Sequence, residues 1–485
     1  MKTLKDILFG VSVQMVSGST HIKISGVAFD SRKVKKGMLF VAIKGTSNDG
    51  HSHITDAVQK GAVAILCEEI PSSLQKEITY VSCVSTRIAL ATVASRWYNN
   101  PSAELKLIGI TGTNGKTSVA TMAYQLFQNI GFETGLLSTV EIRIGNQVLP
   151  STHTTADVLT TNSILRKMVD QGVTHCFMEV SSHGIDQDRI AALHYSGGVF
   201  TNLSHDHLDY HKDFKSYRDT KKRFFDELPK DAFALSNADD KNGKFMLQKT
   251  KASTHFFGMR SVADFHVKVL EASFSGMLLK LQHDEVWTPL VGVFNAANFV
   301  CVHAIGMLLG IEKTELLSTL STLKGALGRF QTVTTNPVTA IVDYAHTPDA
   351  IAQVLETITA IRTRNEKLIT VFGCGGNRDK TKRPLMAKVA VEKSDLTIFT
   401  SDNPRDEDPN EIINDMVKGV PMEANHKYLT VVDRAQAIKT ACTMAQEQDI
   451  ILVAGKGHET YQEQNGSRLP FDDVAELKQN LQRKK

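Results

Sequence analysis

No two cysteines in this 485-residue chain stand in a C-x-x-C pair. The six present (Cys67, Cys83, Cys176, Cys301, Cys374 and Cys442) are scattered, which fits reduced thiols and argues against a disulfide framework or a zinc knuckle. No uninterrupted apolar run approaches the ~20 residues that a membrane span requires. Met1 to Val13 carries Lys5 and Asp6 among its apolar residues and lacks a small-residue cleavage site, so it does not read as a signal peptide. No charge of one sign dominates. A formal net charge of +3 gives no reason to expect a nucleic-acid or membrane surface, and the closing Arg483-Lys484-Lys485 reads as a solvated helix end. Repeats and low-complexity tracts are also missing. The expectation is a cytoplasmic globular protein, of a length that suits about three domains.

What is present is alternation. Short apolar runs exchange with amphipathic stretches of helical length, the pattern of α/β architecture. The first block holds a strand at Met38–Ile43, a helix over Asp56–Lys60 and a strand at Ala62–Leu66, and ends at the turn-rich Asn99-Asn100-Pro101-Ser102. The second opens with the strand Leu105–Ile110. Around Thr332 to Val338 the chain turns polar with a proline, and a new strand starts at Thr339–Asp343. Strands at Leu368–Phe372, Leu396–Phe399 and Ile450–Ala454 follow. This divides the chain into 1–103, 104–331 and 332–485.

The strongest chemical signal is Ile108-Gly109-Ile110-Thr111-Gly112-Thr113-Asn114-Gly115-Lys116-Thr117-Ser118. A strand runs into a glycine turn and then a helix beginning near Lys116. Backbone N–H groups there can point at phosphate oxygens, and the helix dipole favours an anion. Lys116 adds a point charge on the β- and γ-phosphates and the Thr117 hydroxyl suits Mg²⁺. Ile110 stands where the strict G-x-x-x-x-G-K-[ST] pattern has its first glycine, so the pattern is incomplete.

Glu179 lies at the end of an apolar run, where α/β proteins gather active-site groups, and can hold Mg²⁺ beside Thr117. The alternative is an ordinary exposed carboxylate at a strand end. His205-Asp206-His207-Leu208-Asp209-Tyr210-His211 reads as zinc ligands on residue type alone, yet lacks the H-E-x-x-H spacing and cysteines. Hard Mg²⁺ prefers oxygen and would take at most one of these histidines. Lys221-Lys222-Arg223, in a helical stretch from Lys215 to Leu228, reads by pattern as a solvated basic face.

Together these segments resemble the Mur ligase family. Its marks match Thr111 to Ser118, Glu179-Val180-Ser181-Ser182-His183, Asp206-His207 with a lysine a short helix later, Asn295 with Asn298, Gly328-Arg329-Phe330, and Asp343 to Pro348, in order along nearly the whole chain. The resemblance implies three α/β domains: an N-terminal UDP-binding domain, a central P-loop mononucleotide-binding domain and a C-terminal Rossmann-like domain for the incoming amino acid. It implies Gly112, Thr113, Asn114, Gly115, Lys116, Thr117, Ser118, Asn298, Arg329 and Asp343 around ATP. Ser31, Thr46, Ser47 and Asn48 would hold the uridine end of a nucleotide-sugar substrate, and Thr154, Thr155, Ser181, Gln187 and Arg189 its muramoyl-dipeptide. His153 stands where relatives often carry asparagine. Lys221 falls on the lysine that the family carbamylates, so that Thr117, Glu179, His207 and the Lys221 carbamate would ligate Mg²⁺; the catalytic set is then Lys116, Glu179, His207 and Lys221.

The N-terminal Asp30-Ser31-Arg32 to Ala42 and three C-terminal motifs (Gly373 to Asp379, Asp402 to Arg405, and Gly455 to Glu459) are most similar to the members that add the third residue to UDP-N-acetylmuramoyl-L-alanyl-D-glutamate. Family members that accept meso-2,6-diaminopimelate carry arginine where Arg405 stands. The chemistry agrees, because a guanidinium fork matches the distal carboxylate that L-lysine lacks. Arg378, Asp402, Asn403, Pro404, Arg405, Gly455 and Glu459 are therefore the expected acceptor site, with Asp402 and Glu459 on the distal ammonium. Pairing of Arg405 with Asp406 or Glu407 is the bland alternative.

The implied reaction is ATP-driven activation of a carboxylate as an acyl phosphate, followed by attack of the amino acid's amine, in peptidoglycan synthesis by a monomeric cytoplasmic enzyme. His183 and His346 are considered as the base that takes the amine's proton, against purely structural roles. Competing readings are an L-lysine-adding ligase, another member of the superfamily, and a P-loop protein that uses ATP only to switch conformation.

Overall fold

The computed structural model describes residues 1–45, 48–151, 153–204, 206, 210–335, 337–363 and 365–482, with 334 and 335 described by backbone alone. Among these residues the chain forms three α/β units, each built around its own sheet. The N-terminal sheet runs Val13–Ser17, Thr79–Cys83, Ala64–Cys67, Met38–Val41, Gly26–Ala28, parallel except for the first strand. The expected elements of this unit are all there, their ends displaced by at most two residues; the helix, for instance, spans Ile54–Gln59.

The central sheet has eleven strands among the described residues. Its middle is parallel, with Lys106–Thr111 between His175–Glu179 and Gly197–Phe200. An antiparallel meander, Phe265–Ser273, Gly276–Leu281 and Asp284–Thr288, extends one edge. Alternation along Lys106–Thr111 feeds two cores: Leu107 packs in one, Ile108 and Ile110 in the other, as a period of two requires. The helices Lys116–Ile130 and Val293–Leu308 cover the Ile108 face. On the Leu107 side, Gly109 leaves room for the helix Phe214–Asp226: a Cβ there would stand 2.6 Å from the Phe224 ring. That approach sets Lys221, one turn earlier on the helix, beneath the loop that follows the strand.

The C-terminal sheet runs Gln331–Thr335, Val338–Asp343, Ile450–Ala454, Leu368–Phe372, Leu396–Phe399, Tyr428–Thr430, with only the first strand antiparallel. The polar stretch after Phe330, expected as a boundary, is itself a strand. It lies at the sheet edge, where threonines serve β-structure without the apolar alternation that identifies inner strands. No described helix is long and apolar enough to cross a membrane.

Candidate active site

The turn after Lys106–Thr111 is closed by its own lysine. Lys116 Nζ donates to the carbonyl oxygens of Gly112 at 2.9 Å and Thr113 at 2.7 Å. Gly115 has φ +85°, and a Cβ would come within 2.8 Å of Asn298 Oδ1, so glycine there lets Asn298 reach the turn. The neighbouring strand end braces the turn from below: Thr113 N–H donates to the Asn202 carbonyl at 2.8 Å and Asn114 N–H to Asn202 Oδ1 at 3.0 Å. The helix begins at Lys116 as expected, with Thr117 and Ser118 buried in its first turn.

Lys221 is not on a solvated face. It is 1% exposed, and its Nζ donates to the Gly112 carbonyl at 2.9 Å. Burial, and then the nearby Lys116 charge, hold its ammonium pKa well below the usual lysine range, opposed by Asp206. Burial also lowers Lys116, against the attraction of Glu179 and Asp206.

Glu179 is fully buried at the end of its strand rather than exposed. Its carboxylate accepts from Thr139 N–H at 2.7 Å and from the Thr139 hydroxyl at 3.1 Å. Thr139 also touches Thr154, Oγ1 to Oγ1 at 3.0 Å. Thr155 donates to the Glu179 carbonyl at 3.0 Å and accepts from Ser181 N–H at 3.0 Å. Arg189 donates to the Thr155 carbonyl at 2.9 Å and to Gln187 Oε1 at 2.7 Å. Gln187 in turn donates to the Tyr210 hydroxyl at 3.1 Å, which donates to Asp186 at 2.7 Å. Thr154, Thr155, Ser181, Gln187 and Arg189 thus form one network with Glu179. Thr139, Asp186 and Tyr210 complete it: no motif or periodicity marks the first two, and Tyr210 was legible only as a member of the His205–His211 segment.

Ser31 and Asn48 stay on the N-terminal unit with local partners. The Ser31 carbonyl accepts from Lys60 at 3.2 Å, and the Asn48 carbonyl accepts from Gly45 N–H at 2.9 Å. Thr46, Ser47 and His207 lie outside the described residues. Among the described residues, no group of three or more His, Cys, Asp or Glu is gathered to hold a metal. Thr117, Glu179 and Asp206 are buried oxygen donors near the turn lysines, a chemistry that suits hard Mg²⁺ better than zinc.

The C-terminal unit reaches the turn through Arg329, whose guanidinium stacks on Tyr344 at 4.5 Å and donates to the Thr117 hydroxyl at 3.4 Å. Asp343, expected around ATP, is engaged by backbone amides in this structure. Its two oxygens accept from Phe330 N–H and Ala345 N–H, each at 2.7 Å, so the carboxylate braces the connection between the two units. Burial pushes its pKa up. His183 stacks on Tyr210 with ring centroids 4.1 Å apart. His346 Nδ1 lies 2.9 Å from the Tyr344 carbonyl, and burial depresses its pKa.

Asp402, Asn403, Pro404 and Arg405 leave the end of the Leu396–Phe399 strand, and Gly455 to Glu459 leave Ile450–Ala454, two strands away in the sheet. The loops meet where Asn403 Nδ2 donates to Glu459 Oε2 at 2.6 Å. Gly455 packs on Asp402, with 2.5 Å from a Cβ position to Oδ2. Arg405 sits in the left-handed region at φ 52° and donates to the Gly376 carbonyl at 2.6 Å. Its acidic neighbours are engaged elsewhere: Glu407 pairs with buried Arg383 at 2.9 Å, and Asp406 accepts from Asn377 at 2.7 Å. Arg405 instead stands 3.6 Å from Glu463. Arg378 is exposed on the adjoining loop.

Three family models match: the Mur ligase family catalytic domain at residues 23–98, the Mur ligase middle domain at 110–306, and the Mur ligase glutamate ligase domain at 328–457. The UDP-N-acetylmuramoyl-L-alanyl-D-glutamate--2,6-diaminopimelate ligase of Cytophaga hutchinsonii is 50% identical over 480 residues, 99% of each chain. The protein of that name from Bacteroides fragilis is 48% identical over 477 residues, 98% of each chain. A solved structure of a ligase with the same name superimposes with TM-score 0.71 at 31% identity, covering 100% of this chain and 99% of the other. MurF from Thermotoga maritima, solved with ADP, shares the fold at 18% identity and TM-score 0.64, covering 94% and 97%. With such likeness running end to end, and with the turn, the buried carboxylate and the arginine loop falling in the same order, the chain belongs to the Mur ligase family.

Proposed function

We propose that this chain is an ADP-forming ligase that joins meso-2,6-diaminopimelate to UDP-N-acetylmuramoyl-L-alanyl-D-glutamate in cytoplasmic peptidoglycan synthesis, acting as a monomer. Near-full-length identity of 50% to a ligase of that name supports the reaction. The observation that carries the acceptor is Arg405: its acidic sequence neighbours are taken by other residues, and its loop meets the one bearing Glu459. A zwitterionic distal head matches that arrangement; L-lysine brings no carboxylate to the guanidinium, which then has only Glu463 at 3.6 Å.

In this reading residues 1–103 hold the uridine end, 104–331 the nucleotide and dipeptide, and 332–485 the amino acid. The substrate carboxylate is a poor electrophile, and phosphorylation by ATP converts it to a mixed anhydride with phosphate as leaving group. The acceptor's amine adds to that carbonyl, and the tetrahedral adduct expels phosphate. Lys116 moves from its loop carbonyls to the phosphates, where its charge offsets that of the transferring phosphoryl group. Arg329 and Asn298 flank the same turn. Thr154, Thr155, Ser181, Gln187 and Arg189 orient the dipeptide acid towards it, and closure of the units keeps water from the acyl phosphate.

Thr117, Glu179, His207 and a carbamate on Lys221 would hold Mg²⁺, which when bound neutralises phosphoryl oxygens. The buried, depressed Lys221 supplies what carbamylation needs: a neutral amine adds to CO₂ and releases one proton, turning a buried nitrogen into an anionic oxygen ligand. ADP release in the presence of the nucleotide dipeptide and a panel of amino acids tests the reading. Turnover with diaminopimelate, and little with L-lysine, is expected. Equal turnover with both sinks the acceptor assignment, and amino-acid-independent ATP hydrolysis sinks the ligase.

A further inference from the structure

Lys456 lies inside the acceptor loop yet is completely buried, an expensive place for an ammonium unless it is fully engaged. Its Nζ donates to Asn403 Oδ1 at 2.9 Å and to Glu459 Oε2 at 3.1 Å, and lies 5.5 Å from the centre of the Tyr461 ring. Asn403 is the second half of the device. Its Oδ1 also accepts from Glu463 N–H at 2.9 Å, while its Nδ2 donates to the same Glu459 oxygen at 2.6 Å.

Two strand-end loops and the hairpin Tyr461–Gln464 with Ser467–Pro470 are thereby tied to one cation. The hairpin also grips the arginine loop: Arg405 N–H donates to the Glu463 carbonyl at 3.0 Å, and Gln462 Nε2 donates to the Asp402 carbonyl at 2.7 Å. One oxygen of Glu459 is consumed by this bracing. The carboxylate is therefore fixed through Oε2, and the hydrogen bonds that fix it leave Oε1 unused.

We infer that Lys456 is a positioning residue for acceptor selection, a buried cation that fixes the Glu459 carboxylate against the distal ammonium of a diamino diacid. This rests on the acceptor proposed above and adds the group that makes Glu459 rigid. The distal carboxylate is left to Arg405, so the ligand contact that Lys456 orders most directly, through Glu459, is the one at the amino group.

The test compares meso-diaminopimelate with 2-aminopimelate, which keeps the distal carboxylate and lacks the distal amine, in the full-length enzyme and in Lys456→Met. In the wild type, kcat/KM is expected to favour diaminopimelate by about 10- to 100-fold, the worth of one charge-assisted contact. In Lys456→Met that preference falls to within about threefold through a raised KM for diaminopimelate, while the KM for ATP and the constants for 2-aminopimelate change little. Lys456→Gln, which keeps one donor for Asn403, gives an intermediate preference and serves if the methionine variant does not fold. Equal losses for both acceptors reduce Lys456 to a structural role and overturn the inference. An unchanged preference overturns it too. A wild type that makes no amide with either acceptor removes the proposed function, and this inference with it.

Discussion

Lys116 and Lys221, far apart in sequence, donate to the same oxygen: each Nζ lies 2.9 Å from the Gly112 carbonyl. Two ammonium groups converging on one carbonyl would repel, and burial adds to the cost for Lys221, which favours its neutral amine. Conversion of Lys221 to a carbamate replaces the repulsion with attraction. ¹³C-labelled bicarbonate is therefore expected to give a carbamate resonance in the wild-type protein and none in Lys221→Ala. Ligase activity of Lys221→Ala should fall by roughly 100-fold or more, the scale for losing one preorganised electrostatic group. A variant with wild-type turnover would remove Lys221 from the site.

Arg405→Lys keeps the charge and loses the planar fork. Because Glu463 stands only 3.6 Å away, a lysine there can settle on that carboxylate. The expected result is a fall of about 100-fold in kcat/KM for diaminopimelate with the KM for ATP unaltered. Steady-state kinetics with each substrate varied in turn decides this.

Gly109→Ala places a methyl 2.6 Å from the Phe224 ring and 2.9 Å from Tyr195. The helix carrying Phe224 must then retreat, at an overpacking cost of about 1–3 kcal/mol. Since Lys221 rides on that helix, a melting point lowered by a few degrees should come with a weaker carbamate signal. Loss of stability with an undiminished signal would show that the helix keeps its position by other contacts.

Acid should weaken the fold before it reaches the carboxylates. Burial holds the imidazoles of His175 and His303 down to about 4. The unfolded chain takes up those protons near pH 6.5, so between 6.5 and 4 it binds more protons than the folded state. Stability is then full above pH 6.5 and declines as pH falls, levelling near 4. For His303, 6% exposed, the loss is at most about 3 kcal/mol. Melting curves from pH 7 to 4 should show a shallower decline for His303→Phe, and identical slopes would refute the assignment.

Local chemistry was legible because it is written in consecutive residues. The strand–turn–helix around Gly112–Ser118, the strands of the C-terminal sheet and the order of the motifs follow from glycine placement and apolar periodicity, which need no distant partner. The edge strand Gln331–Thr335 escaped because among the described residues it pairs in the sheet with Val338–Asp343 alone, and an edge carries little apolar pattern. Asp343 stood in a motif, yet its occupation by the amides of Phe330 and Ala345 depends on how the connection folds back on the strand. Thr139 carries no local signature, and although Tyr210 and Lys456 stand inside marked segments, nothing local shows that one reaches Gln187 and the other Glu459.

The amino-acid order alone determined which chemical groups are available and which of them share a loop: the glycine turn with its lysine, the carboxylate at the strand end, the arginine of Asp402 to Arg405. Tertiary structure alone decided which charges are buried and what they touch. Lys221 changed from a surface cation to an amine poised under the turn, and Lys456 from a loop lysine to the anchor of Glu459. The reason is physical. Desolvation and hydrogen-bond geometry depend on distances through space, and those are set only when separate sheets and loops close on one another.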